Sequence, residues 1–269
     1  FEGSIPLFES TPISNANTVS STLLPSGLSL DFSLKQVISS GNGHTCAILS
    51  NGSVSCVGLN NYGQLGDGTT TQRSSWVQTA SLGAGRTATA ISAGSYHTCA
   101  ILDDGSVSCW GYNAMARLGL GHQSDVYTPG ASGCGGDPCS TVPTQTDSLG
   151  TGRTATSISA DYDHTCAVLD DGTVSCWGNN DNYQSGNNCC VTVSPEPNQR
   201  GPFESGRTAT SISTGVDHTC ALLDDGTVAC WGSNQFRQLG DGTSQTRSTP
   251  TLTSSLGAGR TAVGISSGS

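Results

Sequence analysis

The sequence predicts an all-β chain, a β-propeller-type repeat array of four-stranded blades with about four complete copies and the start of a fifth. Three observations lead there. Most of the chain is an internal repeat, present four times. Each copy holds two short apolar-polar runs around an Asp-Gly or Asn-Gly turn. Charged residues are only 11% of the 269 residues, while Gly contributes 36 of them, a composition of turns and short strands.

Residues 1–36 fall outside the repeat. This segment has few charges and carries Pro6, Pro12 and Pro25, so it reads as extended pieces and turns rather than helix. Phe1, Ile5, Leu7 and Phe8 form an apolar patch with no obvious partner in the repeats. They are the predicted assembly contact.

The repeats occupy 37–269, in approximate units 37–90, 91–157, 158–211 and 212–264, with 265–269 opening the next. The copies read HTCAILSNGSVSCVG from His44, HTCAILDDGSVSCWG from His97, HTCAVLDDGTVSCWG from His164 and HTCALLDDGTVACWG from His218. Each follows an apolar-polar strand candidate: LKQVISSG, RTATAISAG, RTATSISAD or RTATSISTG. A further candidate, WVQTASLGAGR or TLTSSLGAGR, leads on to the next copy. A period of roughly 50–70 residues with about four short strands per copy suits a propeller blade.

The central hairpin is legible residue by residue. A three-residue loop such as Asp103-Asp104-Gly105 fits a type I turn closed by a left-handed residue. Pairing Leu102 with Ser106 then sets Cys99 directly opposite Cys109. The same register sets Cys46 opposite Cys56, Cys166 opposite Cys176 and Cys220 opposite Cys230. Opposed residues on antiparallel strands lie close enough to bridge at the narrow, non-hydrogen-bonded positions. Neither hairpin face carries charge, so both are expected to be packed, as in a blade between neighbours.

Twelve cysteines in this regular arrangement indicate a disulfide framework rather than zinc, whose sites use closely spaced Cys pairs. Disulfides imply an oxidising compartment and hence a secreted, extracellular protein. Two schemes fit the rest. Cys134 bonds Cys139 and Cys189 bonds Cys190, or both connections bond across neighbouring blades.

Net charge is −10, with 10 basic and 20 acidic residues. That argues against nucleic-acid binding, which needs clustered Lys and Arg. No apolar run reaches the ~18 residues of a membrane span. No leader is visible and residue 1 is Phe, so a leader has been removed or this is part of a longer chain.

The segments GSYHTCAILDDGSVSCWGYN and CVGLNNYGQLGDG resemble the repeat of the regulator of chromosome condensation family, over roughly residues 37 to 269. The resemblance implies a propeller of four-stranded blades. Its Cys-bearing form is similar to that of secreted multi-repeat proteins of aquatic microbes. Val57 departs from the pattern, where the other copies have Trp110, Trp177 and Trp231. Ala116, Tyr183 and Arg237 stand where the first copy has Gly63.

The repeated polar residues read as structural. His44, His97, His164 and His218 recur once per copy, which suits a hydrogen bond to a neighbouring connection. His122 is solitary and expected to be exposed. Arg86, Arg153, Arg207 and Arg260 are expected to bond between blades. Asp103-Asp104, Asp170-Asp171 and Asp224-Asp225 are turn residues. Asp67 and Asp241 lack the ladder of acidic residues that a cation loop needs. No cofactor, metal site or catalytic arrangement is predicted. Asn51 heads the sequon Asn51-Gly52-Ser53 at a hairpin tip and is the expected glycosylation site.

The first functional expectation is a non-enzymatic extracellular structural or adhesive protein, assembled head-to-tail into a filament. The second is a secreted propeller that binds or inhibits another protein, for which Tyr112, Tyr127 and Tyr183 hint at an aromatic rim. A third, guanine-nucleotide exchange, follows from the founding nuclear member of the family and sits poorly with paired cysteines. Expected partners are further copies, other extracellular proteins or glycans.

Overall fold

A computed structural model describes residues 37–121, 134, 136–186, 192–200 and 203–268. Phe1, Ile5, Leu7, Phe8, His122, Tyr127, Cys189 and Cys190 lie outside them.

Four antiparallel sheets of four strands follow one another along the chain. Blade one holds β1 (Ile38–Ser40), β2 (His44–Ile48), β3 (Val54–Gly58) and β4 (Arg73–Gln78). Blade two holds β5 (Ala88–Ala93), β6 (His97–Leu102), β7 (Val107–Tyr112) and β8 (Cys139–Gln145). Blade three holds β9 (Ala155–Ala160), β10 (His164–Leu169), β11 (Val174–Asn179) and β12 (Val193–Arg200). Blade four holds β13 (Ala209–Thr214), β14 (His218–Leu223), β15 (Val228–Gly232) and β16 (Arg247–Leu252). The unit boundaries read from the sequence fall inside β5, β9 and β13. The last strand of blade one begins three residues before Trp76, and the rest of WVQTASLGAGR beyond Gln78 is turn rather than strand.

The turn chemistry is as expected. Gly52, Gly105, Gly172 and Gly226 all take the left-handed conformation, with φ of 75–77°. Leu102 N–H donates to Ser106 O at 2.8 Å. Counting back from that bonded pair places Cys99 and Cys109 at a narrow position. Their Cα atoms are 4.1 Å apart, as they are in the other three hairpins. Cys134 is paired with Cys139.

In blade two both hairpin faces are buried. One face of blade two, with Cys99, Ile101, Val107 and Cys109, packs on Ile158, Ala167 and Trp177 of blade three. The other, with Ala100, Leu102 and Trp110, packs on Cys46, Val54, Cys56 and Leu65 of blade one. Consecutive blades meet through their first two strands. The approach is tight. A Cβ on Gly105 would collide with Cβ of Thr154 in the connection to the next blade.

A repeated clasp joins each blade to the next. Thr98 Oγ1 donates to Gln64 O at 3.0 Å, and Trp110 Nε1 donates to the same carbonyl at 3.0 Å. His44 Nε2 lies 2.9 Å from Thr98 Oγ1. The Thr98 hydroxyl spends its one proton on the carbonyl, so His44 Nε2 must be the donor and Nδ1 bears none. His97, Thr165, Trp177 and Arg117 O repeat the clasp, as do His164, Thr219, Trp231 and Gln184 O. Along β1, β5, β9 and β13, serine hydroxyls accept the next unit's N–H: Ser39 from Ala93, Ser92 from Ala160, Ser159 from Thr214 and Ser213 from Ser267. The last bond sets the opening of the fifth repeat in the same place as the others.

The recurrent arginines tie the connections to the hairpins, as an inter-blade role requires. Arg86, between β4 and β5, pairs with Asp103 and Asp104, and Arg153, between β8 and β9, pairs with Asp170 and Asp171. Each bond fastens the connection between two blades to the hairpin turn of the second.

Loss of Gly after β7, β11 and β15 does not change the backbone. Gly63 has φ 76°, and Ala116, Tyr183 and Arg237 keep φ at 55°, 64° and 64°. Their N–H groups close the same turn, donating to Asn113, Asn180 and Asn234 carbonyls at 3.0 Å each. A non-glycine residue there carries about 1–2 kcal/mol of strain. Arg237→Gly should therefore stabilise blade four by up to about 1 kcal/mol, net of glycine's own backbone entropy. Thermal unfolding should rise by roughly 2–4 °C; no change or a fall would contradict the strain.

Candidate functional site

Three tyrosines from two blades meet on the rim where the histidines begin their strands. Tyr62 comes from the turn after β3, Tyr96 from the turn before β6, and Tyr112 ends β7. Tyr62 and Tyr112 stack with centroids 4.3 Å apart. Tyr96 meets both edge-on, at 5.5 and 6.5 Å. Asn42 Nδ2 donates to Tyr96 Oη at 3.3 Å. All three rings are half-buried, so they present both ring surface and hydroxyl.

The turn under Tyr62 is built by Asn60. Its Oδ1 accepts from Leu65 N–H, and its Nδ2 donates to Asp67 Oδ1 and Thr69 O. Asp67 is saturated by Asn60, Thr69 and Arg73 donors. Those bonds hold its carboxyl below the usual range despite the opposing cost of burial, the largest single effect. It reads as a loop brace, and Asp241 repeats it with Asn234, Thr243 and Arg247.

Arg117 extends the cluster toward blade three. It stands where Gln64, Gln184 and Gln238 stand in the other copies. Its guanidinium lies 4.6 Å from the Tyr112 centroid, on the distance scale of a cation–π contact. It pairs with Asp163 at 2.7 Å and donates to Ala114 O and Tyr162 O. Burial pushes the Arg117 pKa down, Asp163 opposing. Burial pushes Asp163 up, with Arg117 the main counterweight, and pushes Tyr112 up. Asp161, also raised by burial, neighbours the pair. Exposed Met115 and Tyr162 flank the cluster in sequence.

The arrangement offers aromatic surface, hydroxyls and a balanced ion pair, which is chemistry for recognition. Among the described residues, no group of three His, Cys, Asp or Glu is placed to hold a metal ion. No helix there is long and apolar enough to cross a membrane. Of the aromatic hints in the sequence, Tyr112 belongs to the cluster and Tyr183 is exposed in the blade-three turn. The sequence pattern does not point to Tyr62 or Tyr96, whose places in the other copies hold unlike residues. Asn51 is exposed at its tip, its Oδ1 accepting from Ser53 N–H and Oγ.

Clasped, four-stranded blades with such a rim define a repeat propeller of the binding-module kind. The chain belongs to the regulator of chromosome condensation (RCC1) repeat family. One profile of that repeat matches residues 36–64, 88–115, 155–184 and 209–238. A second matches 51–101, 171–222 and 225–269. The ultraviolet-B receptor UVR8 of Arabidopsis thaliana is 31% identical over 222 residues, 82% of this chain and 46% of the receptor. The human E3 ubiquitin-protein ligase HERC2 is 29% identical over 81% of this chain and 4% of its own length. Human WBSCR16 superposes with a TM-score of 0.70 at 19% identity, over 86% of this chain and 55% of that one. Prp20p of Saccharomyces cerevisiae, a structure described with its binding to Gsp1p and histones, gives 0.64 at 19% over 81% and 50%. The chain thus spans less than half of these curated relatives.

Proposed function

We propose that the chain is a non-catalytic module that docks another protein on the tyrosine rim, in an oxidising extracellular setting. The Tyr62–Tyr96–Tyr112 cluster, braced by Arg117 and Asp163, is the observation that carries the reading. Half-buried tyrosines supply contact area at low entropic cost. Kinship with Prp20p, whose structure is described with binding to Gsp1p and histones, supports protein as the ligand class. Four stapled hairpins support the compartment, and Asn51 would carry the glycan of a eukaryotic secretory route. Affinity capture from native extracellular fluid tests it, using wild type and Tyr62→Ala/Tyr96→Ala as baits. A partner enriched on wild type and roughly tenfold depleted on the folded double variant is expected. Equal capture by both would reject the rim.

Exposed Val37 and Ile38 on one side, and Phe236 and Val263 on the other, favour a second reading. These faces would take a further blade, from the same chain or a neighbouring copy. The latter is the filament role, with Phe1, Ile5, Leu7 and Phe8 as the docking contact.

A further inference from the structure

The outer strands of the four blades share one register. Val77, Thr144, Asn198 and Thr251 pair with Cys56, Cys109, Cys176 and Cys230, and each strand bulges on its N-terminal side. The residue just before these four is Trp76, Pro143, Pro197 and Pro250. Three blades therefore place a proline where blade one has tryptophan.

Proline has no N–H, so the sheets of blades two to four are complete without a donor at this position. The parity agrees. Thr79 N–H donates inward to Val54 O at 3.0 Å, which directs the Gln78 N–H away from β3; Trp76 stands in the bulge before Val77, where the three sister prolines show that β3 needs no donor. Proline on an outer strand blocks pairing with another chain. Blade one lacks that block and adds an indole that is 52% exposed.

The rest of the edge is neutral. Arg73 is engaged by Asp67 at 2.6 Å, and Ser74, Ser75 and Gln78 are uncharged. At the start of β4, Gln72, Arg73 and Ser74 open onto a cleft of about 750 Å³ lined also by Asn42, Leu59 and Tyr96. Gly43 leaves this space clear where the later blades carry Tyr96, Asp163 and Asp217.

We propose that β4 is a docking edge for an extended, uncharged segment of a partner protein. The segment adds to blade one as a fifth strand, sets an apolar side chain on Trp76 and places a polar, uncharged one in the cleft. A neutral edge offers no counter-charge, which selects an uncharged strand. A second copy would bring another net charge of −10 to the contact, which favours a different partner. The edge shares Tyr96 and its donor Asn42 with the tyrosine rim but neither Trp76 nor Tyr62 and Tyr112, so either surface can fail without the other.

A display library of short random peptides, panned on the whole chain, tests this. Trp76→Pro installs the residue that the three sister blades accommodate at this position. Selected peptides should be uncharged, slow exchange of the Trp76 amide, and bind Trp76→Pro at least roughly tenfold more weakly. Trp76→Ala, which keeps the N–H, should lose less. Should Trp76→Pro unfold, the Trp76 amide and Trp76→Ala decide alone. No selectable peptide, equal binding to the variants, or a Trp76-dependent dimer in sedimentation would overturn the proposal.

Discussion

Lowering the pH from about 6.5 to about 4 should cost the folded protein on the order of 6 kcal/mol through His44 and His164 alone. Burial lowers the His44 pKa from 6.5 to about 4 and that of His164 to about 3. His97 is also pushed well down by burial, with Arg117 adding to it. In the unfolded chain these imidazoles protonate near 6.5, so between there and 4 the unfolded state binds more protons. Stability is full above 6.5 and falls with pH through that window. Each of His44 and His164 accounts for about 3 kcal/mol of it. Asp161 and Asp163, raised by burial, oppose the trend near its lower end. Asp104, Asp171 and Asp225, lowered chiefly by bonds from Ser106, Thr173 and Thr227, reinforce it below 3.8. Urea midpoints across pH 7 to 4 measure the loss. His164→Gln keeps an N–H donor toward Thr219 and cannot protonate, so its slope should be shallower by one histidine's share. An unchanged slope would show that the clasp histidine is not held neutral.

Cys99→Ala/Cys109→Ala should lose about 3 kcal/mol, the loop-closure entropy of an ~11-residue ring in the unfolded chain. Both cysteines are fully buried. Reductant should therefore act slowly on the native protein and quickly once blades open. The double variant should show the shift in denaturant midpoint, with little change in the circular dichroism of the strands. A shift under about 1 kcal/mol would indicate that the unfolded hairpin is already compact.

Local chemistry was legible in the sequence and long-range assembly was not. The turn Asp103-Asp104-Gly105 fixes which residues face each other, so the opposition of Cys99 and Cys109 follows from counting. The uncharged faces of β6 and β7 follow from side-chain alternation. The rim did not, because Tyr62, Tyr96 and Tyr112 meet only through the packing of two blades. Arg117 looks like an interrupted Gln motif until Asp163 of the next blade is beside it. The left-handed turns at Ala116, Tyr183 and Arg237 were hidden because Asn113, Asn180 and Asn234 hold a backbone that the local residue disfavours. The Arg-Thr-Ala motif points to a bond between blades, and Arg86 makes it from the connection between β4 and β5 to the carboxylates of blade two's turn. Trp76 and the three prolines become comparable only once the cysteine register aligns the outer strands.

Hydrogen exchange on the complex with the captured partner tests the central claim most directly. Amides of residues 60–64, 95–97 and 112–118 are expected to gain protection, while the hairpin tips at 103–105 and 170–172 do not. Protection confined to those tips, with none around Tyr62, Tyr96 and Tyr112, would contradict the account.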